Sequence, residues 1–125
     1  AGIDSAGTVV DVARSPGGTW VAATETHLYA FDEGKRAWTP ARNWSSSGPE
    51  ALRGRMRALS FDAEGRLIVG TTEGVALWGT KSVRWLTAGD GIGGGHVADL
   101  AVDGDRLWIG FAEDGVSVIS LRGLW

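Results

Sequence analysis

Two histidines, His27 and His96, are the side chains of this chain best suited to moving a proton near neutral pH. Both fall in segments that read as loops, and carboxylates such as Glu25 and Glu73 fall in similar segments. A histidine beside a carboxylate can serve as a general acid or base, so one hypothesis is an enzyme of the lyase or hydrolase type. Solvated turns also collect such residues, and the spacing alone leaves both interpretations open.

Positive charge suggests a second kind of chemistry. Residues 35–57 carry six Lys or Arg against one Glu. Guanidinium groups bind carboxylates and phosphates through paired hydrogen bonds, so this segment predicts a site for a small polar or anionic ligand. The alternative is a set of solvated arginines that pair locally for little energy. The candidate ligand-binding residues share a loop position and are Arg42, Trp44, Arg53, Arg55, Glu73, His27 and His96.

Seven tryptophans raise the question of a stacking surface. Five lie in segments that read as strands, where a large aromatic side chain usually packs between sheets. Trp44 differs, because it lies in a loop rich in Ser, Gly and Pro and is a candidate ligand contact. The five predicted packing residues are Trp20, Trp38, Trp78, Trp85 and Trp108.

Composition removes several classes of function. A net charge of −3 gives no reason to propose a nucleic-acid partner, and the absence of cysteine removes disulfides. No apolar run approaches the roughly 18 residues of a membrane span. No cofactor or metal is predicted: Asp103 and Asp105 fall short of the roughly six to eight oxygens that calcium takes. Composition leaves the cellular location open.

These loops must be positioned by an internal repeat. A segment of about 30 residues occurs three times, at offsets of 47 residues (Val9 to Met56) and 41 residues (Met56 to Val97). Repeats of this length are typical of propeller blades or helical arrays. Each copy closes on an aromatic residue, at Trp38, Trp85 or Trp125. Further positions in register include Val12/Leu59/Leu100, Trp20/Leu67/Leu107, Val21/Ile68/Trp108 and Leu28/Val75/Val116.

The content of each copy is strand rather than helix. Four short strands separated by turns of about two to four residues predict an antiparallel meander. The second strand of copy two, 67–70, is apolar at consecutive positions, so both of its faces must be covered. A propeller blade between two neighbours supplies that cover, whereas a β-sandwich gives no reason for the repeat. The fourth strand of copy three is predicted over 121–125.

We therefore predict an all-β chain that is one propeller segment, with blade one at 1–39, a linker at 40–55, blade two at 56–87 and blade three at 88–125. Both chain ends match positions near blade-to-blade loops, so we expect a whole number of blades. Closed propellers have about four to eight blades, so three would leave apolar flanks uncovered. The expected partner is another propeller chain, either a head-to-tail copy that makes a six-bladed ring or a separate chain with the remaining blades.

The repeat resembles the two-component regulator propeller repeat. Copy three offers Asp103, the run 107–110 and Gly115, and copy two offers Asp62, Gly65, the run 67–71 and Gly74. Copy one departs most, since His27 stands at an expected glycine. The resemblance implies a propeller fold, and the family's use in extracytoplasmic sensing implies a ligand-binding role there. We thus expect a non-enzymatic binding and assembly module, with the propeller enzyme as the alternative.

Overall fold

The computed structural model describes residues 8–41, 53–78 and 83–124. Within these ranges the chain forms β-strands and one 3-10 turn at Ala88–Asp90, so the prediction of an all-β chain is confirmed. The first sheet contains β1 (Asp11–Arg14), β2 (Trp20–Ala23), β3 (Leu28–Asp32) and β4 (Ala37–Pro40). The second contains β5 (Met56–Phe61), β6 (Leu67–Thr71), β7 (Gly74–Trp78) and β8 (Val83–Leu86). The third contains β9 (Val97–Asp103), β10 (Arg106–Phe111) and β11 (Val116–Ser120).

Each copy of the repeat forms one sheet, and neighbouring strands in every sheet are antiparallel and consecutive in sequence. The hairpin turns explain this order, because they place glycines where the backbone needs a positive φ. Gly65 has φ 84° between β5 and β6, and Gly115 has φ 76° between β10 and β11. Such left-handed positions cost a glycine nothing and strain other residues. The meanders predicted from the turn residues are therefore present in all three copies.

The third sheet departs from the predicted fourth strand. The Leu121 N–H still donates to the Asp105 carbonyl at 2.6 Å, which continues the pairing of β11 with β10. The chain then turns at Arg122 and Gly123, where Gly123 has φ 71°. Three strands thus lie in the described part of this sheet, and Trp125 lies outside the described residues.

The sheets pack side by side through their first strands. The Met56 N–H at the start of β5 donates to the Glu25 carbonyl at 2.8 Å, at the end of the first sheet where Asp11 begins β1. The strands β1 and β5 therefore run in the same direction. The Asp11 carboxylate links them, because its Oδ2 accepts from the Leu59 N–H at 2.8 Å.

Two apolar cores lie between the three sheets. Side chains of the second sheet alternate between them: Leu67 and Val69 belong to the core shared with the first sheet, and Ile68 to the core shared with the third. The strands β6 and β7 are consequently buried at every residue. This confirms the prediction that the apolar strand at 67–70 is covered on both faces. The first and third sheets each have a face turned away from the second sheet, which we call their outer faces.

Gly70 marks the closest approach between the second and third sheets. A Cβ added there would overlap Val97 Cγ1 and would lie 3.1 Å from Val97 Cβ. Val97 begins β9 and is fully buried, so it has no room to move away. The absence of a side chain at Gly70 thus sets how closely these two sheets pack.

We predict that Gly70→Ala destabilises the fold by about 1–3 kcal/mol, the usual cost of overpacking a well-packed core. Urea unfolding followed by tryptophan fluorescence measures this loss. Gly95→Ala is the matched control, because nothing lies within 4 Å of a Cβ at that position. Equal stability of the two variants would contradict the tight packing of Val97 on Gly70.

Candidate functional site

The second turn of each sheet and the segments that join the sheets lie at one end of the molecule. Thr72 N–H donates to the Arg55 carbonyl at 2.9 Å, and Ala112 N–H donates to the His96 carbonyl at 2.9 Å. We call this end the loop face; its described parts are residues 24–27, 53–55, 71–74, 87–96 and 111–115. It contains five of the seven predicted ligand-binding residues, and the other two, Arg42 and Trp44, lie outside the described residues.

Buried threonine hydroxyls hold the first two turns of the loop face. Thr24 Oγ1 accepts from the His27 N–H at 3.0 Å, and Thr71 Oγ1 accepts from the Glu73 N–H at 3.1 Å. Both threonines are nearly inaccessible and hold equivalent places in the repeat. A short polar side chain that bonds to the backbone two or three residues later fixes a turn without a helix or strand. His27 and Glu73 therefore extend to solvent from rigid positions.

His27 has one ring nitrogen engaged. Its Nδ1 lies 2.7 Å from the hydroxyl of Thr26, and its ring centroid is 6.3 Å from that of Tyr29. The His96 side chain is exposed, and its backbone carbonyl bonds within the third sheet. Among the described residues, no hydrogen bond or ion pair joins either histidine to the other or to a carboxylate. Within the described ranges, the geometry thus assembles no acid–base pair of the kind considered from the sequence.

Arg55 bridges the turns of the first and second sheets. Its Nη1 lies 3.6 Å from the Glu25 carboxylate, and its N–H donates to Thr72 Oγ1 at 3.0 Å. The Arg55 side chain is 68% exposed, so this ion pair adds little to stability. Its guanidinium therefore keeps most of its hydrogen-bonding capacity facing solvent.

Arg53 and Asp90 form a second charged group on the loop face. The Arg53 guanidinium carbon lies 5.7 Å from the centroid of the Trp85 ring, within range of a cation–π interaction. Asp90 Oδ2 accepts from the Thr87 N–H at 2.8 Å and from the Thr87 hydroxyl at 3.0 Å. These two hydrogen bonds lower the pKa of the Asp90 carboxyl; desolvation opposes them, and the charges of Arg84 and Arg53 make smaller contributions that also lower the pKa.

The repeat relates two of these candidates to each other. Arg55 and His96 both immediately precede the first strand of their sheets, and both carbonyls accept from the second turn of the same sheet. A side chain able to carry positive charge thus stands at each described junction between sheets. Sequence alignment of the copies contains this signal, because Met56 and Val97 are already in register.

A groove of about 550 Å³ lies at the end opposite the loop face, and no residue of it was predicted as a site. Asp62 there accepts from the Arg66 Nε at 2.6 Å, and Arg122 Nε lies 2.7 Å from the Asp105 carboxylate. Its charges are therefore largely paired within the chain. The sequence signals for this end are Asp62 and Gly65 of the repeat motif and the Asp103/Asp105 pair, which offers too few oxygens for calcium. The groove is lined by Asp62, Ala63, Glu64, Arg66, Gly104, Asp105, Leu121, Arg122 and Gly123.

The predicted packing role of the tryptophans is met in part. Trp78 is buried between the first and second sheets, and Trp85 packs against the same core. Trp38 makes an edge contact with Phe31, at 5.3 Å between ring centroids. Trp20 and Trp108 instead remain 43% exposed on the outer faces of the first and third sheets.

No protein-family model and no curated protein matches the chain. The resemblance to the two-component regulator propeller repeat therefore stays a prediction that rests on the motif residues. No group of three or more His, Asp or Glu side chains in the described ranges is arranged to hold a metal ion. Across those same ranges, no helix has the length and apolar character needed to cross a membrane.

We predict that the Asp90 carboxyl titrates below its ordinary pKa of 3.8. Because the folded pKa is depressed, the stability that this carboxylate contributes is present at neutral pH and is lost as the pH falls through the folded pKa. Thr87→Val removes one of the two hydrogen bonds and should raise the pKa more than Arg84→Ala, which removes a nearby charged group that donates to the Leu124 carbonyl and not to Asp90. Carbon-detected NMR titration measures all three proteins; a larger shift in Arg84→Ala would contradict the assignment of causes.

Proposed function

We propose that this chain is a non-enzymatic β-propeller binding and assembly module whose three sheets are blades, and that another propeller chain completes its ring. Three antiparallel meanders joined through their first strands are compatible with successive blades of a propeller. The strands β1, β5 and β9 would then lie nearest the ring axis.

One observation carries this proposal. The exposed large hydrophobic residues in the described ranges lie on the first and third sheets: Val9, Val12, Trp20, Trp108, Val116 and Val118. Register places Val12 and Trp20 on the outer face of the first sheet and Trp108, Val116 and Val118 on the outer face of the third sheet. Val9 precedes β1 at the position equivalent to Met56, which belongs to the core shared with the first sheet. The repeat counterparts of all these residues in the second sheet are 4% exposed or less: Met56, Leu59, Leu67, Ile68, Val75 and Leu77.

Comparison with the second sheet indicates why these residues are exposed. These positions are buried in the second sheet, which has a neighbouring sheet on each side, and are exposed on the outer faces of the first and third sheets. Clusters of exposed apolar side chains of this kind mark interaction surfaces in soluble proteins. Burying them would contribute on the order of 25 cal/mol per Å² of apolar area. The outer faces are therefore suited to contact further blades.

We predict that the chain associates in solution, with a molar mass above the 13.1 kDa of one chain. The double variant Val116→Lys/Val118→Lys places charge on the outer face of the third sheet and should raise the dissociation constant at least about tenfold, equivalent to about 1.4 kcal/mol. Sedimentation velocity over a concentration series measures this change.

The control is Ala63→Lys/Ala88→Lys, which adds the same charge at exposed positions in turns away from the apolar residues of the outer faces. It should associate like the unmodified chain. A folded, monomeric unmodified chain at the highest concentrations reached would overturn the proposal.

The loop face supports a binding role for the same module. Arg53 and Arg55 present guanidinium groups from positions fixed by Trp85 and Thr72, and Arg55 is mostly exposed. Planar guanidinium groups suit carboxylate and phosphate oxygens. We propose that this face binds a small polar or anionic ligand, with His27, His96 and Glu73 as neighbouring polar groups.

Inorganic phosphate is a suitable probe for this binding role. We predict saturable NMR shifts of the amides of residues 53–55 on titration, and at least a severalfold weaker response in Arg53→Ala, because one of two nearby guanidinium groups is lost. Arg122→Ala removes a charge at the opposite end and should bind like the unmodified chain. Non-saturable shifts, or equal binding by Arg53→Ala, would contradict a loop-face anion site.

A further inference from the structure

We propose that the outer face of the third sheet binds the outer face of the first sheet of a second copy of this chain, so that two copies close head to tail. This inference rests on the proposed function and names the partner that it leaves open. The two contacts would be identical, because a twofold axis relates the copies, and the assembly would contain six sheets.

Gly110 is the first observation that points to a second copy. It lies in β10 on the outer face of the third sheet, opposite Asp99 on one side and Val116 on the other. A glycine inside a strand packs nothing and often marks a close approach of another group. A Cβ added at Gly110 would have no neighbour nearer than 3.8 Å, and that neighbour is Asp99 of the same sheet. No described contact of the chain therefore requires this glycine.

The second sheet shows what a glycine at this position does. Gly70 is its repeat counterpart, and Val97 of the next sheet packs directly on it. The repeat counterpart of Val97 in the first sheet is Val9, which is 41% exposed. If the first sheet of a second copy packs on the third sheet as the third sheet packs on the second, Val9 of that copy lies on Gly110. The cleft and the side chain that fits it are both present in one chain, on opposite outer faces.

Asp99 is the repeat counterpart of Asp11, which forms a hydrogen bond across the junction of the first and second sheets. Its counterpart Asp11 accepts from its own neighbour Val12 through Oδ1 at 2.8 Å and from Leu59 of the next sheet through Oδ2 at 2.8 Å. Asp99 makes only the first of these bonds within the described residues, from Leu100 to Oδ1 at 2.9 Å. In the second copy, the backbone N–H equivalent to that of Leu59 is the N–H of Val12. That N–H already donates to Asp11 of its own copy, so the junction between the two chains would not repeat this hydrogen bond.

The outer face of the third sheet carries Asp99 and Asp103, with Arg106 as the register partner of Asp103, and the outer face of the first sheet carries Arg14. Arg14 lies on the outer face of the first sheet, beside Trp20, and is exposed. Its counterpart in the second sheet is Phe61, which belongs to the same core as Ala13 of the first sheet. The counterpart of Ala13 in the third sheet is Ala101, so Arg14 of a second copy would lie over Ala101. Asp103 is two residues further along the same face and within reach of a long arginine side chain.

This arrangement favours a second copy over an unrelated partner. The outer face of the third sheet repeats the face that the second sheet presents to the third, and the outer face of the first sheet repeats the face that the third presents to the second. The contact inside the chain is thus a template for the contact between copies. Side-chain size at Gly110 and the charges of Arg14 and Asp103 agree on the same placement.

Charge reversal with mixing tests the inference. Arg14→Asp and Asp103→Arg should each weaken self-association at least about tenfold, because each variant alone places like charges at both contacts. An equimolar mixture allows dimers with one chain of each variant. In such a dimer one contact pairs the two reversed residues, and the other pairs the original Arg14 with the original Asp103. The mixture should therefore recover dimers of about the original affinity by sedimentation velocity.

Gly110→Val is the second variant, and it should prevent dimer formation while circular dichroism shows the fold retained. Dimers of the unmodified chain without recovery in the mixture, or with full association of Gly110→Val, would overturn the head-to-tail contact and leave the proposed function standing. Open assemblies larger than two copies would overturn the closed pair. A folded monomer of the unmodified chain would overturn both proposals.

Discussion

Packing of one sheet against the next is the interaction on which the rest of this structure depends. The second sheet demonstrates it, because its two central strands are buried at every residue and contribute to two separate cores. A sheet that is apolar on both faces would expose apolar area to water if it stood alone, so each sheet is stabilised by cover from a neighbour. Every copy of the repeat has two apolar faces, so a sheet with only one neighbour leaves one apolar face uncovered.

Size complementarity then sets how the sheets are spaced. In the second sheet the position of closest approach is Gly70, and Val97 of the third sheet packs directly on it. In the first sheet the equivalent residue is Ala23, and Met56 of the second sheet belongs to the same core. A small residue on one sheet and a branched or long one on the next allow the first strands to approach closely. That approach permits the Asp11 carboxylate to reach the Leu59 N–H across the junction. Packing and hydrogen bonding thus fix the same register between sheets.

The sequence predicts what depends on short-range rules and repetition, and fails where contacts cross between segments. The hairpins follow from turn glycines such as Gly65, and the buried strand at 67–70 follows from its consecutive apolar residues. The strand predicted from residue 121 onward is replaced by a turn at Arg122 and Gly123, because Gly123 adopts a positive φ. The position of Arg53 over Trp85 could not be predicted, because 32 residues separate them and no repeat position relates the two.

The loop face differs from the cores in what holds it in place. Buried hydroxyls of Thr24 and Thr71 and backbone bonds at Arg55 and His96 fix its main chain, whereas its charged side chains are mostly exposed. Exposed ion pairs contribute little to stability, so these charges can differ from one copy of the repeat to the next without loss of the fold. Arg55 and His96 illustrate this freedom, since they occupy one repeat position with different chemistry. Because Thr8 occupies that position in the first sheet, a head-to-tail junction between copies would lack the cation that Arg55 places beside Glu25.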